Sequence, residues 1–433
     1  MKLRYSLSNI ITALILVIVT LVSSNLNWGK DTWQGILEAD AKGYYAYLPA
    51  TFIYQDLNYN HFDDLEGGKY YFENYHFDYR VESNGKTTNK CFAGTAVAQT
   101  PFFLFAHGIV KVSGNSADGY SKIYSVFVNI AALFYLLLGL LYLKKLLQNW
   151  ELKEWHIAMV LIAIVFGTNL FYYAVVEPGM SHIYSFGFAS MFAYFGLKFF
   201  KKPNSKGFLL LATIFGLIIL IRPVNGLIVL SLLFLAGPYS NLKNAITWSI
   251  KNYIVLIAGV IICVSIIFIQ FLIYKISTGN WFVYSYQNEG FQFGNPHLID
   301  ILFSYRKGLF LYTPLYLVSL LGLYFVWKKS KYKALTWLGF FLLITYVFSS
   351  WWMWYYGGSF SSRVYVEYLP YFAILLGLCF KFIQQKLLKV SFVSLTVLLI
   401  GFCQFQTYQY RYMLIHWSDM NKEKYWDVFL QLP

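Results

Sequence analysis

The stretch GFLLLATIFGLIILIRPVNGLIVLSLLFLA, residues 207–236, decides how this chain is threaded. It is thirty residues of apolar sequence interrupted by Arg222-Pro223, and proline removes a helix donor and clashes with the preceding turn. Read as one kinked helix, it inverts everything after it. Read as two half-length helices of 207–221 and 224–238 meeting at Arg222-Pro223, it keeps Lys243, Lys251 and the Lys328 to Lys333 cluster on the side where short loops retain lysine and arginine. The second reading is preferred. Fifteen residues rise about 22 Å, short of a hydrocarbon core of ~30 Å, so Arg222 is expected to sit recessed below one membrane surface.

Working outward from that segment, hydrophobic residues make up 58% of the chain and charged residues 12%. Apolar runs recur at membrane-crossing length, and the alternating short strands of a membrane barrel are absent. The fold class expected is an all-α polytopic membrane protein, a single integral-membrane domain over residues 1–433 with about eleven spans. These are 5–26, 122–146, 155–175, 182–200, 207–221, 224–238, 252–275, 309–327, 334–350, 368–385 and 390–408. The first begins with Lys2 and Arg4 and lacks a small-residue cleavage pattern, so it reads as an uncleaved anchor.

Orientation follows from charge. With the N-terminus inside, eighteen of the 34 basic residues fall on short inner loops, joined only by Glu151 and Glu154. The net charge of +14 therefore describes topology and does not indicate nucleic-acid binding. No Asn-x-Ser/Thr acceptor occurs, which favours a bacterial cytoplasmic membrane. The four cysteines form neither a disulfide framework nor a metal spacing, and no nucleotide-binding glycine motif is found.

The outer side should carry a small mixed layer at 27–121, with further loops at 276–308 and 351–367. Within the layer, residues 39–55 suit an amphipathic interfacial helix ending near Pro49, Asn84-Gly85 signals a hairpin turn, and 93–112 is expected to lie in the interface without crossing. Glu38-Ala39-Asp40 places two carboxylates at the lip of the bilayer, where they meet a headgroup without the cost of burial in hydrocarbon. Residues at i and i+2 of a helix face different sides, so these acids are not expected to form a dyad, and Asp40 aligns with Tyr44 and Tyr47.

Other outer loops add candidates. Glu177 and His182 flank the start of a span; each could equally serve a turn or a helix end. Arg306-Lys307 is the only adjacent basic pair on the outer side, suited to an anion or a lipid headgroup. Gly357-Gly358-Ser359 followed by Arg363 joins close backbone approach to a guanidinium able to grip phosphate. Arg222 is read either as snorkelling to lipid phosphates or as binding a substrate phosphate.

Taken in order, the acids after the first span, the Gly94-Thr95-Ala96-Val97-Ala98-Gln99-Thr100-Pro101 stretch, Arg222-Pro223 and the Gly357 to Arg363 loop give a chain that resembles the GT-C superfamily of polyprenyl-phosphate-dependent glycosyltransferases. It is similar to the protein mannosyltransferase and aminoarabinose transferase branch. The resemblance implies an extracytoplasmic active site with Asp40 in the position of the catalytic acid. It also implies a polyprenyl-phosphate sugar donor and a glycan, lipid or protein acceptor. The chain departs in its Glu-x-Asp spacing and in carrying no large soluble domain after the last span, which leaves the acceptor open.

The chemistry implied needs a base for the acceptor hydroxyl and cations for the departing phosphate. Asp40 would be the base, with Glu177 also catalytic. Glu38, Tyr44, His182, Arg222, Arg306, Lys307 and Arg363 would bind substrate. No metal or cofactor is required, although carboxylates could hold a divalent cation. Two alternatives remain: a lipid-linked saccharide flippase or transporter, and a polysaccharide polymerase or ligase sharing the same topology.

Overall fold

The structure, a computed structural model, describes residues 6–432. The Lys2 and Arg4 start of the first expected span lies outside them. The described chain is mostly helical, with one two-stranded hairpin and irregular segments between the helices. Seven helices are long and apolar enough to cross a membrane: Leu7–Asn27, Lys122–Gln148, Ser181–Lys201, Tyr253–Thr278, Lys331–Ser349, Arg363–Phe382 and Lys386–Arg411. Three shorter apolar helices, Glu154–Phe166, Ser205–Ile221 and Pro223–Ala236, accompany them.

Two of the expected spans are broken by identifiable residues. Over 309–327 the chain forms three pieces, Leu309–Tyr312, Leu315–Ser319 and Gly322–Lys329, because Pro314 cannot donate into a continuing helix. Over 155–175 the helix stops at Phe166 and resumes at Leu170. The break frees Asn169, whose amide reaches the carbonyls of Phe360 and Ser362 at 3.5 and 3.3 Å.

Burial sorts the long helices. Arg363–Phe382 is 94% buried and runs through the centre, whereas Tyr253–Thr278 is only 11% buried and presents isoleucine and valine outward. Helix Lys122–Gln148 packs closely on Ser181–Lys201 because Gly139 leaves room for the Phe186 ring; a Cβ there would lie 2.4 Å from it. Small residues at such crossings allow backbone approach where the hydrophobic effect cannot drive association.

The deciding segment breaks at Arg222-Pro223. Arg222 is extended (φ −150°, ψ 112°), the conformation a following proline imposes. The chain then turns back as Pro223–Leu230 and Ser231–Ala236. Phe234 stacks on Trp150, at the end of the bundle where Lys201 bonds Asn149, so the two half-length pieces start and finish at the same lysine-rich end.

At the opposite end, residues 28–121 form a tyrosine-rich layer. Here α1 (Leu7–Asn27) leads through a strained Ala39 (φ 47°) into α2 (Asp40–Pro49), which continues as a wider turn to Tyr54. The helix expected over 39–55 forms as Asp40–Pro49 and is covered by the rest of the chain: Ala41 and all of Gly43 to Ala50 are buried. Its tyrosines carry hydroxyls that need partners in such a core, and Tyr47 donates to the Cys91 carbonyl at 2.5 Å while Tyr45 donates to the Gly119 carbonyl. Strands β1 (Arg80–Ser83) and β2 (Lys86–Asn89) pair antiparallel around Asn84-Gly85, both at positive φ.

Helix Gly94–Ser113 packs along Lys122–Gln148. Tyr135 donates to the Ala98 carbonyl near its start, and His107 meets the Tyr124 hydroxyl toward its end. The close approach rests on Gly94, where a Cβ would stand 2.2 Å from the Ile221 nitrogen, one residue before Arg222. Gly94→Ala should therefore push this helix off the Arg222 turn. A loss of roughly 1–3 kcal/mol, the usual scale for overpacking, is expected in thermal unfolding of the detergent-purified protein.

Candidate functional site

Glu367 lies one turn inside the most buried helix, and its side chain is 1% exposed. A carboxylate so placed must be matched by donors. Its Oε1 accepts from His182 Nδ1 at 3.0 Å, Arg222 Nη1 at 3.3 Å and Asn225 Nδ2 at 3.5 Å. Three segments are thereby tied to one oxygen. The cap of Ser205–Ile221 supplies Arg222, the following turn supplies Asn225, and the first turn of Ser181–Lys201 supplies His182.

Four residues before Glu367, Arg363 donates from Nη2 to Asp40 Oδ2 at 2.9 Å. The pair joins residues 323 apart in sequence and sits at the rim, with Asp40 31% and Arg363 13% exposed at the side chain. The buried Nε of Arg363 has no hydrogen-bond partner, leaving a guanidinium edge free for a further acceptor. Arg222 and Arg363 lie within electrostatic range of one another, as do Arg222 and the tyrosines Tyr44 and Tyr356. Each guanidinium is backed by a carboxylate, Arg222 by Glu367 and Arg363 by Asp40, a donor set of the kind that suits an anion.

The segment that delivers Arg363 is clamped from three directions. Asn169 grips the carbonyls of Phe360 and Ser362, Thr313 Oγ1 lies 3.1 Å from Ser361 Oγ, and Lys307 donates from Nζ to the Ser359 carbonyl. Ser359, Ser361 and Ser362 are accordingly buried. The glycines before them let the chain turn sharply, Gly357 at φ 65°.

Beside this lies a second group of charges. Glu177 accepts from the Tyr172 hydroxyl at 2.9 Å, and its buried Oε2 has no partner. Burial, with Glu38 nearby adding to it, pushes the Glu177 carboxyl up to about 8. Glu38 is itself raised by burial, opposed by Arg411. Burial pulls Lys307 down to about 7, opposed by the Glu177 charge. Its ammonium lies 4.6 Å from the Tyr410 ring.

Of the residues singled out from sequence, Asp40, Tyr44, His182, Arg222 and Arg363 come together around the rim, and Glu38, Glu177 and Lys307 adjoin them. Arg306 does not. It donates to the Ser418 carbonyl at 2.7 Å and its guanidinium lies 3.4 Å from the centre of the Tyr355 ring, so it anchors the segment after the last long helix. Arg306 and Lys307 therefore point apart, Lys307 giving one of its three N–H donors to the Ser359 carbonyl. Sequence reasoning missed Glu367, Asn225 and Asn169. For Glu367 the signal was present, an acid inside an apolar run. Among the described residues no group of three or more His, Cys, Asp or Glu side chains is arranged to hold a metal. No protein-family model matches the chain, and no curated protein matches it.

The Glu177 shift fixes a pH dependence. The folded carboxyl binds its proton more tightly than the unfolded one at 4.5, so stability is fully present at low pH and declines as pH rises through the window to about 8. The melting temperature should fall across that range, and Glu177→Gln should flatten the fall. An unaltered slope in the variant would reassign the titration to another group.

Proposed function

We propose that this chain is an eleven-pass glycosyltransferase of the GT-C kind in a bacterial cytoplasmic membrane, with its N-terminus cytoplasmic and its active site extracytoplasmic. It would move a sugar from a polyprenyl-phosphate donor to a hydroxyl of a glycan, lipid or protein. The observation that carries this reading is the Asp40–Arg363 pair. A carboxylate open to the rim hydrogen-bonds a guanidinium whose other buried edge is unpartnered, and a second guanidinium stands beside it.

The reaction divides between those groups. The acceptor oxygen bonds to the anomeric carbon as the bond from that carbon to the phosphate oxygen breaks. Asp40 takes the acceptor proton, which makes the oxygen nucleophilic as the bond forms. Arg363 and Arg222 hold the polyprenyl phosphate as negative charge develops on it, stabilisation that grows toward the transition state. Phosphate binding would draw Arg363 from Asp40 and free a carboxylate oxygen for the hydroxyl. His182, Asn225 and Glu367 hold Arg222 in place and touch no reacting atom. Tyr44 lies one helical turn beyond Asp40 and faces Arg222 and Ser181, where its ring could meet a sugar face.

A second reading, a lipid-linked saccharide flippase, is favoured by a different observation. The apolar segment broken at Arg222-Pro223 beside buried His182 and Glu367 resembles the discontinuous helices at which transporters bind substrate. Turnover separates the two. Purified protein in lipid with short-chain polyprenyl-phosphate monosaccharides should release polyprenyl phosphate when an acceptor is present. Asp40→Asn should lower that rate by about 10²–10⁴-fold, the usual worth of a positioned base, with donor binding retained. Arg363→Ala should weaken donor binding. No release from any donor tested would favour the flippase, and undiminished turnover in Asp40→Asn would remove the base.

A further inference from the structure

At the end of the bundle away from Asp40, the turn Asn149-Trp150-Glu151 between helices Lys122–Gln148 and Glu154–Phe166 is approached by ammonium groups from three other segments. Lys201 donates to Asn149 Oδ1 at 3.2 Å. Lys381 donates to the Trp150 carbonyl at 3.1 Å. Lys333 lies over the Trp150 ring, 4.7 Å from its centre, and faces Lys201 and Lys329. Lys329 in turn lies over the Phe382 ring at 4.5 Å, which Lys381 shares at 5.6 Å.

Like charges brought together repel unless something of opposite sign joins them. The only carboxylate paired there is Glu151, bound to Lys381 at 3.5 Å with its own side chain 88% exposed. Among the described residues Lys201, Lys329 and Lys333 make no ion pair, and the buried Trp150 Nε1 donates to nothing. Lysines that serve only to fix topology have no reason to converge, since each does so from any position on a short loop. Three of the four lie over aromatic faces, Lys333 on Trp150 and Lys329 and Lys381 on Phe382, with an unused indole donor beside them.

We propose that the Asn149–Glu151 turn with Lys201, Lys329, Lys333 and Lys381 is a binding site for a phosphate group at the lysine-rich membrane surface. An anionic phospholipid headgroup and a free phosphate share that chemistry. The Trp150 and Phe382 rings, at the level where aromatic side chains meet headgroups, favour the lipid. The site is independent of sugar transfer at the other end of the bundle.

The full chain in a neutral maltoside micelle would be titrated with phosphatidylglycerol, with phosphatidylcholine as the uncharged control and inorganic phosphate as a separate arm, reading the thermal unfolding midpoint. Phosphatidylglycerol should raise the midpoint and phosphatidylcholine should not. Lys329→Gln/Lys333→Gln should need about thirtyfold more lipid for the same rise, the equivalent of roughly 1 kcal/mol per lysine near a charged surface. Lys243→Gln/Lys251→Gln, on the exposed helix Tyr239–Lys251, should behave as the unsubstituted protein. If the double variant is already unstable without lipid, Lys201→Gln makes the same test with one charge. A rise with inorganic phosphate at matched concentration assigns the site to free phosphate, and a rise with phosphatidylglycerol alone assigns it to the headgroup. No rise in either arm, or equal loss in both double variants, would overturn the site.

Discussion

Charge buried at the end of an apolar bundle has to be matched where it lies, because removing one partner strands the other in a medium that solvates it poorly. Here that constraint falls on Glu367. One oxygen takes donors from His182, Arg222 and Asn225, so three helix ends are held in one relative position. Arg363, one turn earlier on the same segment, extends the arrangement to Asp40 at the start of α2. The rim is thus assembled from the segment around Asp40 and the segment around Arg363, joined through an ionic network with little room to slide.

Rigidity of this kind suits the chemistry proposed. A base and phosphate ligands work only when held at the right separation before the substrate arrives. The tyrosine-rich layer braces α2 from one side, and the Asn169, Thr313 and Lys307 clamp braces the Arg363 segment from the other. The breaks at Pro314 and Asn169 belong to the same design. Each interrupts an apolar run near the rim, and the polar groups released are used on the loop that carries Arg363.

Some of this was legible in the sequence. Long apolar runs announce helices, Asn84-Gly85 announces a turn because both residues tolerate positive φ, and Arg222-Pro223 announces a kink or break that the lysine distribution resolves in favour of a break. Residue type also marked Asp40, Arg222 and Arg363. Their pairing was not legible, since no local pattern connects residues 323 apart. Nor was the burial of α2, whose alternation of alanine, glycine and tyrosine reads as a surface helix until the layer covering it is known. Glu367 was passed over because it falls where a loop merges into an apolar run. Arg306 and Lys307 looked alike on paper, yet their backbone directions send one to Ser418 and the other to Ser359.

The Asp40–Arg363 contact is tested most directly by a double-mutant cycle on thermal stability in detergent, using Asp40→Ala, Arg363→Ala and the pair. For this partly buried ion pair, discounted for solvent screening, a coupling energy of about 1 kcal/mol is expected. Additive effects, within about 0.3–0.5 kcal/mol, would mean that the two side chains do not meet, and the rim described here would have to be abandoned.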